Sequence, residues 1–457
     1  MTRGQQYLLL LIILSLVVLS TTQAVISYNS SDVFIGDESY NTLRLAQEQA
    51  STNNYVHDKL QDRSINFSLT NYLLSLFDSS QHGLVKTIFL ILGVIATTLI
   101  FTITRFYTDN DSAFFTTILF VFNPIYIYYF TSVNDTALSF VLLLISAYFI
   151  LKQNIIGPLF FVASLFSDPR LAVFSLPIIS YLLYKHEGDS YSQLVLYFST
   201  MLYLISPFVH IQRLFTGEQD LLINFLVYFG DSTGNSLTLL SLAILGVIFL
   251  WERSFEKNIQ YLYFTTLLVT SLYFSNLRLL LLVFMSFFGY KAVSYLYTLN
   301  WEFDDLKYAT LTVIAAGLLL STIVFVDNER NNDVVDKINA AKELSTYNTG
   351  DVVSSAENGF LISYFSKKPV LLDSHSYLYD DYEDRLQLQN ELFFERRSQN
   401  VISLLENNDV SYIFIDDDMK QGVVWSSENE GLLFVLQFSS DLNMIIQNSF
   451  VSVYAIN

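Results

Sequence analysis

Apolar runs of membrane-crossing length recur along the first 327 residues, and no other feature constrains the fold as tightly. A helix crosses the hydrocarbon core with roughly 20 residues. Apolar runs lie at 7–26, 84–104, 113–131, 137–151, 155–167, 170–184, 192–210, 237–251, 259–274, 276–297 and 308–326, several of them short for a full span. Backbone amides find no water inside lipid, so such runs satisfy themselves as helices. The alternation of a membrane barrel is absent. Composition agrees: 52% of the 457 residues are apolar and 15% are charged, against roughly 25% charged in soluble domains. The expectation is a polytopic α-helical membrane protein of about eleven spans. Tyr7–Ile26 reads as a signal peptide or an anchor; its apolar core exceeds the usual h-region and no A-x-A site follows, which favours an uncleaved anchor.

Beyond Asn328 the composition changes. Residues 328–457 hold 21 Asp+Glu and 9 Lys+Arg, a net of −12 out of −19 for the chain. This shift divides the chain into a multi-span membrane domain, 1–327, with a large first outer loop at 27–83, and a C-terminal soluble α/β domain, 328–457. GDVVSS, PVLLD and SYIFID are short apolar runs bounded by turn residues, as strands are. Tyr382–Glu395 and Ser398–Asn407 carry helical apolar spacing. NMIIQNSFVSVYAIN reads as a closing hairpin, and Asp416–Asp418 as a solvated strand end. Basic residues in short loops mark the cytoplasmic side. With the N-terminus inside, the inner ends hold Arg3, Arg105, Lys152, Lys185, Arg253, Lys257 and Lys307, and the short outer loops only Arg170, Arg213 and Arg278. An odd span count then puts the C-terminal domain on the extracytoplasmic side, with the first loop, in the cell membrane.

Several chemistries are excluded. There is no cysteine, so disulfides, thiolate metal sites and cysteine nucleophiles are out. Five histidines form no HExxH. A net charge of −19 lacks the basic footprint that a nucleic-acid partner requires.

The membrane-edge charges are the candidate site residues. In GDESYNTLRLAQEQ of the first loop, Asp37 and Glu38 are adjacent acids, and Arg44 and Glu48 share a helix face at i,i+4. The pair reads either as a solvated loop acid with a helix start, or as a carboxylate at the membrane boundary that takes a proton or binds a metal. In NPIYIYYFTSVNDTALSF, Asp135 reads as a helix cap with Asn134 and Thr136, or as a second acid facing a cavity, or both. Asp168 and Arg170 in SDPRLAVF read as a tight loop with a local ion pair, or as support for such a site. Arg278 in YFSNLRLLLLVF, and more weakly Arg213, read as snorkelling cations or as ligands for a phosphate, which a planar guanidinium suits. All seven membrane-edge charges, Asp37, Glu38, Asp135, Asp168, Arg170, Arg213 and Arg278, fall on one side in this topology.

These residues and their order resemble the glycosyltransferase-C superfamily, polytopic enzymes that use polyprenyl-phosphate-linked sugars. GDESYNTLRLAQ is similar to the acidic first-loop motif of oligosaccharyltransferase catalytic subunits, protein mannosyltransferases and lipid A aminoarabinose transferases, with Asp37 in the acid's place. SVNDTALSF resembles the second acidic motif, with Asp135. SNLRLLLLVF resembles the stretch that holds a lipid-phosphate arginine, here Arg278. FLISYFSKKPVLLDSHSY followed by LLENNDVSYIFID is similar to the outer domain of archaeal and bacterial members. Two features depart from the pattern. The WWDYG acceptor motif of oligosaccharyltransferases is absent, the only tryptophans being Trp251, Trp301 and Trp425, and no second acid closely follows Asp135. Both favour transfer of a single sugar over protein N-glycosylation.

The resemblance implies an integral membrane glycosyltransferase that moves a sugar from a polyprenyl-phosphate-linked donor to a protein, lipid or glycan acceptor at the outer face. Asp37, Glu38 and Asp135 are the expected catalytic residues, and Arg278 and Arg213 the expected phosphate ligands. Arg44, Asp168 and Arg170 are expected support, and Asp37 and Asp135 are the expected ligands if Mg2+ or Mn2+ is used. The alternative is a non-catalytic membrane protein: a transporter, a receptor or an inactive paralogue. Against transport, the charges sit at one edge and the hydrophobic pattern shows no internal repeat.

Overall fold

A computed structural model describes residues 2–456 except 29, 53, 78–80, 155, 186–195, 198–199, 202–224, 228–233, 251–254, 331–332, 380 and 421–430. Two compact units emerge. The first comprises Met1–Tyr28, Phe67–Thr70 and Ser80–Arg330; the second comprises Asn29–Asn66, Asn71–Ser79 and Asn331–Asn457.

The first unit is helical, as apolar runs in lipid must be. Its described helices include Arg3–Ile26, His82–Tyr107, Asn110–Val121, Pro124–Thr131, Asp135–Leu151, Gly157–Leu165, Pro169–Lys185, Leu237–Phe249, Phe255–Thr270, Arg278–Thr298 and Asp304–Glu329. Four helices among the described residues are long and apolar enough to cross a membrane: Arg3–Ile26, His82–Tyr107, Ser275–Thr298 and the one beginning at Asp304. A fifth crossing arises if Asn110–Val121 and Pro124–Thr131, bent by 67° at their junction, make one broken span. The other apolar helices are shorter, and the expected run at 192–210 falls largely outside the described residues.

Side-chain caps fix where the helices begin. Asp109 accepts from the amides of Asp111 and Ser112. Asn123 accepts from Ile125 N, with Pro124 next, so the chain stops and restarts at that bend. Asn134 accepts from Ala137 N at 2.8 Å and opens the helix Asp135–Leu151. Buried hydroxyls tie helices together: the Tyr126 hydroxyl lies 2.5 Å from Ser15 Oγ and 2.9 Å from Thr97 Oγ1. Leu237–Phe249 and Arg278–Thr298 approach so closely that a Cβ at Gly246 would lie 2.0 Å from the Phe288 carbonyl oxygen.

The second unit is mixed. In its loop part, β1 (His57–Asp58) pairs antiparallel with β2 (Arg63–Ser64). Its larger sheet comprises β3 (Asp351–Val353), β4 (Val410–Asp416), β5 (Leu442–Gln447) and β6 (Val451–Ile456), in the order β3-β4-β6-β5. β3 runs parallel to β4, and the other pairs are antiparallel. Successive β4 side chains alternate faces. Ile413 and Ile415 pack with Leu392, Val401, Leu405 and Leu432 on one side, while Tyr412 and Phe414 pack with Ile362, Leu344 and Val453 on the other. Helices Tyr382–Phe394, Ser398–Asn407 and Gly431–Phe438 therefore cover one face, and Asp333–Leu344 and Gly359–Ser366 the other.

Candidate active site

The first loop's acids sit at a helix start. The chain turns at Gly36, whose φ of 70° suits a residue without a Cβ, and enters the helix Glu38–Thr52 directly after Asp37. Ser39 Oγ donates to Ile35 O at 2.6 Å and Tyr40 N to Asp37 O at 3.0 Å, which closes the first turn. The helix buries Tyr40, Leu43 and Ala46. That face packs within its own unit rather than toward lipid: the Tyr40 ring meets Phe34, Tyr364 and Phe365.

The Asp37 carboxylate accepts a hydrogen bond from the Ser374 hydroxyl. The residue keeps some surface open to solvent, yet protein surrounds its carboxyl group. That loss of water raises the Asp37 pKa above the usual range, and negative Asp373 adds to the rise; the Ser374 hydroxyl and the main-chain amides at the helix start oppose it. Next to it, Glu38 Oε1 lies 3.9 Å from His375 Nε2, and His375 Nδ1 lies 3.5 Å from Asn41 Nδ2. The His375 ring is set edge-on to Phe360 and Tyr377.

A buried ion-pair chain holds this segment. Arg44 donates twice to Asp58, at 2.7 Å each, and once to Asn41 at 3.2 Å. Arg63 Nε donates to Asp58 Oδ2 at 3.2 Å, and its Nη1 to Asp373 Oδ1 at 2.8 Å and to the His375 carbonyl at 3.2 Å. Asp373 Oδ1 also accepts from His375 N at 2.8 Å, so one carboxylate sets the turn that carries Ser374 and His375. Burial opposes ionisation of Asp58, but the two guanidiniums outweigh it and its pKa is lowered. Burial likewise opposes the charge on Arg63, and Asp373 and Asp58 overcome it. The Arg44–Asp58 contact is bidentate, the strong form of such a pair, while Arg44 Nε and Asp373 Oδ2 are buried without a hydrogen-bond partner. Arg44 also keeps the expected i,i+4 partner, Glu48, at 3.4 Å.

In the first unit the charges gather around a different pair. Asp135 accepts from Ser68 Oγ at 2.7 Å, and its carbonyl from Ser167 Oγ at 2.9 Å. Asp168, 4% exposed, accepts from Thr136 Oγ1 at 2.7 Å, Asn276 Nδ2 at 2.9 Å and Leu171 N at 3.2 Å. It thus caps the next helix and joins three segments. The turn at Ser275–Leu277 is the hub. Asn276 reaches Asp168, the Arg170 guanidinium lies 5.9 Å from the Phe274 ring, and Arg278 opens the next helix. Arg278 is 3% exposed; its Nε donates to Ser271 O at 3.3 Å, and its guanidinium lies 5.8 Å from the Phe225 ring. Arg213 lies outside the described residues.

Asp37, Glu38 and Arg44 therefore share the second unit, while Asp135, Asp168, Arg170 and Arg278 share the first. Asp58, Arg63, Asp373, Ser374 and His375 were not singled out from the sequence. Among the described residues no three His, Cys, Asp or Glu side chains form a group able to hold a metal.

No protein-family profile and no curated protein matches the chain. Solved structures do. Archaeal oligosaccharyltransferase AglB from Archaeoglobus fulgidus, in complex with an inhibitory peptide and a dolichol-phosphate, aligns over 100% of this chain and 75% of its own, with a TM-score of 0.63 and 11% identity. The Archaeoglobus fulgidus oligosaccharyltransferase complex with Zn and sulfate aligns over 98% and 73%, with 0.59 and 13%. ArnT from Cupriavidus metallidurans, bound to undecaprenyl phosphate, aligns over 98% of both chains, with 0.56 and 10%. The fold is glycosyltransferase-C-like. Among the described residues this fold carries apolar helices long enough to cross a membrane.

Proposed function

We propose that this chain is an integral membrane glycosyltransferase that transfers a sugar from a polyprenyl-phosphate-linked donor to an acceptor at the outer face of a multi-pass membrane domain. The observation that carries the reading is Asp37: an acid at a helix start, desolvated and held by Ser374, in a glycosyltransferase-C-like fold. The dolichol-phosphate and undecaprenyl phosphate of the neighbouring structures support the donor class.

In this reading an acceptor hydroxyl or amide attacks the anomeric carbon, and the bond from that carbon to the phosphate oxygen breaks. Asp37 takes the acceptor's proton, and a carboxylate with a raised pKa is the better base near neutral pH. Glu38 assists and Asp135 orients the acceptor. Arg278, with Arg213, holds the charge that develops on the leaving phosphate, where a fixed guanidinium contributes most. Arg44 supports the Asp37 helix, and Asp168 and Arg170 the neighbourhood of Arg278. The region 328–457 belongs on the extracytoplasmic side. Transfer measured with added Mg2+, with added Mn2+ and with chelator checks metal dependence separately.

The test is transfer of radiolabelled hexose from polyprenyl-phosphate donors in membranes, comparing wild type with Asp37→Asn at matched expression. Loss in the variant supports the reading; equal transfer in both removes its central residue.

A further inference from the structure

In the second unit the turn that begins at Asp373 lies against the first-loop acids. We propose that Ser374 is a positioning residue that holds the Asp37 carboxylate in place, anchored by the Arg63–Asp373 ion pair. The inference deepens the reading of Asp37 as the reacting acid and rests on it for its meaning.

Three observations on one turn carry it. The Ser374 hydroxyl donates to Asp37. Asp373, one residue earlier, is fixed by Arg63 Nη1 at 2.8 Å and by Ser376, whose Oγ receives Asp373 N at 2.5 Å. His375, one residue later, is held at its amide by Asp373 and at its carbonyl by Arg63, and its ring borders Glu38 at 3.9 Å. Consecutive side chains of this turn thus reach both acids, while the backbone between them is tied down by a buried guanidinium. A hydroxyl without that anchor would rotate among rotamers, and its bond would average away.

The groups that act on Asp37 include the Ser374 hydroxyl and the main-chain amides at the helix start, which favour its ionised form, and Asp373, which opposes it. Glu357 is electrostatically coupled to Asp37, and Glu38 and His375 lie alongside. Arg63 acts through Asp373, whose charge it balances. Removing the hydroxyl takes away a donor to the ionised carboxylate, so Asp37 must hold its proton to higher pH. A merely structural serine would not move that ionisation.

The experiment uses the full chain in detergent and needs no donor. A water-soluble carbodiimide with glycine ethyl ester labels protonated carboxyl groups, and mass spectrometry reads the Asp37 peptide between pH 4 and pH 8. Asp37→Asn identifies the signal by removing it. In Ser374→Ala the midpoint at which labelling falls is expected higher by about half a pH unit to one pH unit, the equivalent of one lost hydrogen bond. Ser374→Thr, which keeps the hydroxyl, restores the wild-type midpoint, while its isostere Ser374→Val behaves like alanine. The Thr–Val pair carries the test if the alanine variant does not fold. Equal midpoints in Thr and Val, or in wild type and alanine, overturn the assignment. Failure of the catalytic reading registers elsewhere, as transfer that survives Asp37→Asn.

Discussion

Arg63 and Asp373 form a buried 2.8 Å ion pair although 310 residues of sequence separate them. Both side chains are almost wholly removed from solvent, and each has a second partner: Asp58 for Arg63 and the His375 amide for Asp373. Removing either one strands a charge without water. Arg63→Met or Asp373→Ala is therefore expected to destabilise the second unit by about 3–5 kcal/mol, the usual cost of breaking a buried pair from one side. Urea unfolding of the purified chain, followed by proteolysis within 29–66, measures it.

Asp37→Asn is expected to separate function from stability. Transfer should fall by about 10²- to 10⁴-fold, the range for losing a general base. Stability should rise at pH 7. Desolvation raises the pKa of Asp37 in the folded state, so ionising it costs stability as pH climbs from the unfolded value through the folded one. The neutral amide avoids that cost. Melting curves of the two proteins should differ at pH 7 and converge below about pH 4, where the aspartate is protonated in both states.

Asp58 gives the opposite sign. Arg44 and Arg63 lower its folded pKa despite burial. Its stabilising contribution is full above the unfolded value of about 3.9 and is lost as pH falls through the folded pKa. Acid unfolding of the second unit should therefore begin below about pH 4, and Asp58→Asn should flatten that limb while lowering stability at neutral pH. Unfolding followed from pH 7 to pH 2 tests both.

Gly246→Ala is expected to cost about 1–3 kcal/mol, the range for overpacking. The added methyl would meet the Phe288 carbonyl oxygen at 2.0 Å, and backbone cannot swing aside as a side chain does. A lower melting temperature in detergent than that of a Gly83→Ala control, where a Cβ meets nothing within 4 Å, would confirm it.

Some of this organisation was legible in the sequence because its cause is local. Lipid forces the apolar runs into helices, and Asn134 announces a helix start; the run 113–131 reads as one segment, whereas Asn123 and Pro124 break it into two helices bent by 67°. The i,i+4 spacing found the Arg44–Glu48 contact, since it needs only a helix. It did not find Asp58, the closer partner, because that contact requires the loop to fold back through β1 and β2. Ser374 and His375 were invisible for the same reason: nothing in LLDSHSY states what lies opposite. PVLLD reads as a strand, yet only Val370 bridges to Val352. Pro369 lacks a donor, and the Asp373 turn diverts the chain soon after. The Asp37–Glu38 pair stood out in sequence, whereas its desolvation depended on distant residues.

The Arg63–Asp373 link also has a consequence in time. The loop that carries Asp37 leaves the ribosome long before its partner segment exists. At about 5–20 residues per second, the intervening stretch takes some tens of seconds to synthesise. Throughout that interval Arg63 lacks Asp373, Asp37 lacks Ser374, and the acid stands in water with an ordinary affinity for protons. The chain thus carries its own delay: the carboxylate acquires its final character only once synthesis has passed Ser374.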